Sequence, residues 1–250
     1  MYARQESLTL GMLGLVLFGG LWEFAADRGW INPVTLSSPG RIGDALVRQW
    51  ASGDLLRDLQ VSLVEFLIGF AISVAIGIAV GIVMALNSNA EFALDPFIWF
   101  FYSAPIVALY PLIIVWLGFG FWTVIAITVA LTAITITINT LAGMRSVDPL
   151  LIRAARSFGG GSMDVVWKVM LPGSLPMVLA GLRIGLGRAL IGVVIGELFS
   201  ANVGLGFRMT YYGARLRTSD VLVPLLLIIL IGVLSTQVVR FFEDRLVIQR

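Results

Sequence analysis

RAARSFGGGSMDVVWKVMLP, Arg153 to Pro172, is a charged, glycine-rich island between two long apolar stretches. A link that merely joined two membrane helices could be short, whereas this one carries helix signals of its own. Asp148 followed by Pro149 reads as a helix start, with a capping carboxylate and a proline at the first position. Leu151, Ala154, Ala155 and Phe158 then make one apolar face, and Gly159 supplies the left-handed stop. Gly160 and Gly161 form a flexible corner, and Ser162 is expected to cap a second helix. Its Met163, Val166, Trp167 and Met170 again share a face, and Leu171 and Pro172 are expected to end it. Two short amphipathic helices in the aqueous phase are therefore predicted. The first offers alanines where a bulky side chain would hold a partner away. A plain solvated loop is the other reading that composition allows.

The flanks are lipid-like. Hydrophobic residues make up 58% of the 250, charged residues only 13%, and the mean hydropathy is +0.96, above what a wetted globular surface carries. A spanning helix needs roughly 20 apolar residues at about 1.5 Å each. Six stretches meet that length: Leu8 to Ala26, Ser62 to Leu86, Phe97 to Leu117, Trp122 to Ala142, Leu175 to Ser200, and Val221 to Val239. An all-α membrane protein of six transmembrane helices is expected. A β-barrel would show strands of about ten residues with alternating polarity, and these runs are continuous. The first stretch, with Arg4 before it and Phe24-Ala25-Ala26 behind, has the look of a secretory signal but is expected to be retained as a membrane helix.

Several chemistries are excluded. Without cysteine or histidine there are no disulfides, thiol nucleophiles, imidazole bases or ordinary zinc ligands. A net charge of +2 with no basic run gives nucleic acid no footing. The phosphate loop of an ATPase ends in Gly-Lys-Ser or Gly-Lys-Thr. The lysine here is Lys168, in Val-Trp-Lys-Val, so this chain holds no ATP-hydrolysing site of that kind.

The stretch from Asp27 to Gln60 has short-helix signals: Ser38 as cap, Pro39 next, and Ile42, Leu46 and Trp50 on one face. It reads as an amphipathic helix on the membrane surface. In the second span Glu65, Gly69, Ser73, Gly77 and Gly81 form a row, and in the fifth Gly181, Gly185, Ala189, Gly192 and Gly196 do nearly the same. Such rows let helix backbones approach closely in lipid, where no hydrophobic effect draws helices together. In the fourth span Thr128, Thr132, Thr135 and Asn139 share a face, open to two readings: a polar pathway or helix-to-helix hydrogen bonding. Pro105 and Pro111 are expected to bend the third span, making Tyr102, Ser103 and Tyr110 candidate lining residues.

Charge inside hydrocarbon is costly and faces a partner or a wet cavity. Glu23, Glu65 and Arg183 lie near span ends. Arg188 and Glu197 are deeper and on opposite sides of one helix, so each needs a partner elsewhere. Lysine and arginine bias does not orient the chain. A cytoplasmic N-terminus would put eight such residues inside (Arg4, Arg145, Arg153, Arg156, Lys168, Arg240, Arg245, Arg250) against seven outside (Arg28, Arg41, Arg48, Arg57, Arg208, Arg215, Arg217).

The run Arg153 to Pro172 resembles the loop signature of ATP-binding-cassette importer permeases: Glu-Ala-Ala, three residues, Gly, nine residues, Ile, one residue, Leu-Pro. Ala154, Ala155, Gly159, Leu171 and Pro172 match, Val169 stands for Ile, and Arg153 stands where the family usually has glutamate. That departure leaves any acidic contact at Arg153 unsupported, although the apolar face survives. Ser103-Ala-Pro through Leu117-Gly-Phe-Gly, Gly181-Leu-Arg-Ile-Gly to Glu197, and Gly204-Leu-Gly-Phe are similar to the branch serving nitrate, sulfonate and taurine uptake.

The resemblance implies a type I ABC importer permease fold, with residues 1–60 as an N-terminal span plus periplasmic amphipathic segment. Residues 61–250 would be a five-helix core whose loop, 143–174, holds a cytoplasmic coupling helix. It implies a bacterial inner-membrane subunit with both termini cytoplasmic, working as a homodimer with an ABC ATPase inside and a solute-binding protein outside. No cofactor would be held by this chain, since ATP and magnesium belong to the ATPase. Arg153, Ala154, Ala155, Phe158, Gly159, Leu171 and Pro172 would form the ATPase-docking element. Ser103, Tyr110, Thr128, Thr132, Thr135, Asn139, Arg188 and Glu197 are the candidate translocation pathway. The solute would be a small anion, though relatives serving thiamine-precursor pyrimidines, riboflavin or aromatic acids look alike. A self-sufficient secondary transporter or channel, and an intramembrane enzyme using Asp95 and Asp220, are the readings from other classes.

Overall fold

The computed structural model describes residues 2–30, 32 and 34–247. Among them every regular element is helical. In order they are α1 (Tyr2–Asp27), α2 (Pro39–Ala51), α3 (Asp54–Leu86), α4 (Ser88–Ser103), a 3-10 turn (Ile106–Leu109), α5 (Tyr110–Leu117), α6 (Phe121–Arg145), α7 (Pro149–Ser157), α8 (Ser162–Val165), a π turn (Val166–Met170), α9 (Leu171–Ser200), α10 (Leu205–Gly213) and α11 (Thr218–Val247).

Four of these are long and apolar enough to cross a membrane: α3, α6, the continuous run Ser162–Ser200, and α11 up to Phe241. The pair Ser88–Ser103 and Ile106–Leu117 passes the same test together, bent by 90°. The sixth predicted crossing, Leu8 to Ala26, falls in α1, several of whose side chains, Leu8 included, lie outside the described residues.

The centre of the bundle is α6, held between α3 and α9. On α3, a Cβ added to Gly69 would stand 2.7 Å from Thr128 Cγ2, and one at Gly81 would stand 2.6 Å from Thr140 Cβ. The contact residues on α3 and α6 therefore rise together, and the two helices run parallel. On α9, a Cβ at Gly181 would stand 2.5 Å from Asn139 Cβ and one at Gly196 would stand 2.9 Å from Val124 Cα, so α9 runs antiparallel to α6. Both glycine rows are thus clefts into which α6 is pressed, as small-residue packing in lipid requires. The antiparallel register sets α7, which follows α6, at one end of the bundle, and α10, which follows α9, at the other.

Three sequence expectations are corrected. The third span is not a kinked helix. Helix α4 stops at Ser103, the chain breaks at Ala104 and Pro105, and Pro111 sits in the first turn of α5, where its missing N–H costs no intrahelical bond. The second island helix is not separate either: α8 passes through the π turn into α9, and Leu171 and Pro172 open α9 rather than ending a helix. The widened turn, in which Leu171 N donates to Val166 O, shifts the register just ahead of the proline and carries the axis past it. Gly161, not Ser162, occupies the cap position of α8.

In α2 the helix begins at Pro39 with Ser38 Oγ accepting from Arg41 N at 3.4 Å. Ala45 and Gln49 are buried while Leu46 and Trp50 are exposed, because Gln49 Nε2 donates to the Asp220 backbone oxygen at 3.1 Å.

Candidate functional site

Helix α7 is short, firmly capped and uncovered. Asp148 accepts from Leu150 N at 2.7 Å, which satisfies one of the amides a helix start leaves open. At the other end Gly159 has φ +81°, a conformation that glycine adopts without strain. Gly159 N donates to Arg156 O, and Gly160 N donates to Ala155 O, each at 3.0 Å. A Cβ at Gly160 would lie 2.7 Å from Ala155 O, so the corner into α8 is tight. Phe158 is 93% exposed, and Leu150 and Leu151 are 62% and 56% exposed. Arg153 and Ala154 are exposed and Ala155 is half-buried.

This nine-residue helix thus leaves an apolar face uncovered at the end of the bundle. Leu171 and Pro172 do not share it. Both are half-buried at the root of α9, where a Cβ on the next residue, Gly173, would stand 2.9 Å from Val147 Cγ2. Val147 and Gly173 thereby join the approach to α7 directly to α9. Nearby, Asp164 accepts from Gly161 N at 3.3 Å and from Lys168 Nζ at 2.5 Å.

The candidate pathway residues fall into three places. Thr128, Thr132, Thr135 and Asn139 lie within the packing of α6 against its neighbours. Thr128 Oγ1 donates to Val124 O at 2.8 Å, Asn139 Nδ2 donates to Thr135 O at 2.8 Å, and Thr132 and Thr135 are buried. None lines the apolar cavity of about 520 Å³ on another face of α6, which is walled by Phe100, Phe101, Ile106, Trp116 and Ala133.

Tyr110 and Arg188 each lie at contacts between the broken span and α9. Tyr110 Oη donates to Phe199 O of α9 at 2.5 Å, and its ring packs on Phe199 with centroids 4.9 Å apart. The Arg188 guanidinium carbon lies 5.0 Å from the Tyr102 ring centroid. Ser103 ends α4 beside Tyr102 and is exposed. Two of the span charges near helix ends find partners: Arg183 pairs with Glu243 of α11, and Glu23 accepts from Ser38 Oγ at 3.0 Å and Gly40 N at 2.7 Å.

Glu197 belongs to a buried knot at the α10 end. Ser62 Oγ donates to Glu197 Oε1 and in turn accepts from Leu205 N at 2.9 Å. Gly206 N donates to Glu197 Oε2 at 2.7 Å. Asp58 accepts from Gly204 N at 3.0 Å and from Arg208 Nε, and Arg208 also pairs with Asp54 at 3.1 Å. Asp58 and Glu197 are fully buried, so such bonds are what permit their burial. Sequence reasoning found Glu197 but missed Asp58, Ser62 and Arg208. The signal existed: Asp58 and Ser62 continue, at helical spacing, the row that begins at Glu65.

Together these features define a polytopic helical membrane protein with an uncovered apolar helix at one end of the bundle and a charged knot at the other. The model of the family described as "binding-protein-dependent transport system inner membrane component" matches residues 73–248. The chain belongs to that family. Relatives include the taurine transport system permease protein TauC of Escherichia coli (strain K12), 33% identical over 249 residues that cover 98% of this chain and 90% of TauC. The putative aliphatic sulfonates transport permease protein SsuC of the same organism is 34% identical over 223 residues, covering 89% of this chain and 85% of SsuC. In fold, the chain is similar to an inward-facing structure of the MetNI methionine ABC transporter, with a TM-score of 0.61 at 22% identity, covering 74% of this chain and 94% of that one. This chain is therefore an ABC transporter permease subunit, a transport component and not an enzyme.

Proposed function

We propose that this subunit conducts a small anionic solute, of the sulfonate type, into the cytoplasm through an importer powered by a separate ATPase. Its relatives TauC and SsuC are named for taurine and aliphatic sulfonate transport, which supports that substrate class. In this reading α1, α3, the broken α4–α5 unit, α6, the Ser162–Ser200 helix and α11 make six crossings, with both termini in the cytoplasm. Helix α7 is then the cytoplasmic coupling helix, and α2 and α10 face a solute-binding protein outside. Two copies of the chain enclose the path.

The observation that carries this reading is α7, a capped amphipathic helix whose Leu150, Leu151 and Phe158 stand uncovered and which joins α6 at one end and, through α8, α9 at the other. An ATPase gripping it would move both spans as levers, and nucleotide-driven closure would bias the bundle between two states. No observation favours a self-sufficient carrier or an intramembrane enzyme.

Replacing Ala155 with arginine puts bulk and charge into the apolar face. ATPase co-purification from membranes should be lost while the permease remains inserted and folded. Unchanged co-purification of the ATPase by Ala155→Arg and by Phe158→Asp would refute the docking role.

A further inference from the structure

Arg183 and Arg188 sit five residues apart on α9, and only their surroundings distinguish them. Arg183 has the Glu243 carboxylate of α11. Arg188 has, among the described residues, no carboxylate in ion-pair range, and its contact is the face of the Tyr102 ring. The row of Gly181, Gly185, Ala189, Gly192 and Gly196 is buried against α6, whereas Ile184 and Ile191 are 51% and 55% exposed. A Cβ at Gly187 would meet nothing within 4 Å. Arg188 therefore borders the uncovered side of α9, near the middle of a spanning helix.

A cation at that depth without a carboxylate is costly unless it meets water or an anion. The guanidinium carbon stands 5.0 Å from the Tyr102 ring centroid, and among the described residues no hydrogen bond ties its N–H donors. That planar fork matches two oxygens of an oxyanion, which a point-like ammonium does not. One arginine neutralises one negative charge. The bare Gly187 beside it leaves room, and Ile184 and Ile191 offer apolar contact to a short hydrocarbon tail. Phe199, bonded through its backbone to Tyr110, shows that the broken α4–α5 corner lies across the same helix.

We infer that Arg188, backed by the Tyr102 ring, is the intramembrane station that receives the head group of a short alkanesulfonate. The inference rests on the permease reading above and assigns its substrate contact.

The test uses vesicles holding the permease assembled with its ATPase and binding protein, measuring uptake of labelled ethanesulfonate and ATP hydrolysis side by side. Loss of the bidentate charge-assisted bonds should lower uptake by Arg188→Gln roughly ten- to hundredfold, while binding-protein-stimulated hydrolysis persists. Arg188→Lys should fall between, and Tyr102→Leu should lose uptake. Wild-type uptake by Arg188→Gln overturns the site. Loss of hydrolysis along with uptake in both Arg188 variants makes the residue structural and also overturns it. ATP hydrolysis without any ethanesulfonate uptake by the wild type overturns the ligand class but leaves the importer reading standing. A wild-type subunit that binds no ATPase refutes that reading itself.

Discussion

Gly206 of α10 and Glu197 of α9 are bonded backbone to side chain: the Gly206 amide donates to Glu197 Oε2 at 2.7 Å. A buried carboxylate in the last turn of a spanning helix thereby becomes the acceptor for one of the opening amides of the next helix. Ser62 joins from α3, so three helices are tied at one point. The arrangement explains why Gly204 and Gly206 both lack side chains. A Cβ at Gly204 would fall 2.4 Å from Glu197 Cδ, and one at Gly206 would fall 2.9 Å from Glu197 Cβ.

Gly204→Ala should therefore be among the most damaging small substitutions in the chain. It meets Glu197 and also forces a residue with a Cβ to φ +125°, a region sparsely populated by such residues. Strain of that kind costs roughly 1–3 kcal/mol before the clash is counted. Thermal unfolding of the purified subunit in detergent should show the loss. A midpoint equal to wild type would mean the loop is free of the knot.

Ser62→Ala tests the same knot from α3. The hydroxyl both donates to Glu197 and accepts from Leu205 N, and its removal leaves two buried groups short of partners. About 1–3 kcal/mol of stability should be lost. Hydrogen exchange should rise in the first turn of α10, and equal exchange in wild type and variant would contradict the role.

How much of this was readable beforehand divides along physical lines. Helix content, the Asp148 cap and the Gly159 stop rest on local chemistry, and they stand where the residues alone put them. The glycine rows signalled close packing, yet nothing in α3 or α9 alone says that both press on α6, since that is a matter of three-dimensional pairing. The broken third span was misread because two prolines were treated alike. Pro111 lies in a first turn, where it is harmless, and Pro105 lies at a break. The end of the second island helix was misread because a π turn, invisible to a 3.6-residue periodicity, carries α8 past Pro172 into α9. Within the candidate site, the approach of Tyr102 to Arg188 is a contact between helices 86 residues apart in sequence, beyond any spacing rule.

Two glycines of α9 should respond oppositely to alanine. At Gly192 a Cβ would stand 2.7 Å from Thr128 Cα, whereas at Gly187 it meets nothing within 4 Å. Gly192→Ala should destabilise by about 1–3 kcal/mol through overpacking. Gly187→Ala should stabilise the isolated subunit by about 0.5–1 kcal/mol, because glycine inside a helix is entropically costly. Denaturation of the two variants in parallel checks the pair, and equal shifts would contradict the α6–α9 interface.

Helix α7 has nine residues, too few to be stable in water by propensity alone, so its order depends on its mounts. Asp148 is one of them. Removing the carboxylate in Asp148→Ala should cost about 1 kcal/mol of local helix stability, equivalent to roughly fivefold less amide protection. The change should be confined to residues 149–158, with α6 and α9 as slow to exchange as before, and Asp148→Ser should restore most of it. If α7 exchanges at the same rate with and without the cap, its rigidity comes from the Val147–Gly173 junction instead. In that event Gly173→Leu, which forces a side chain against Val147, should loosen the helix where loss of the cap did not.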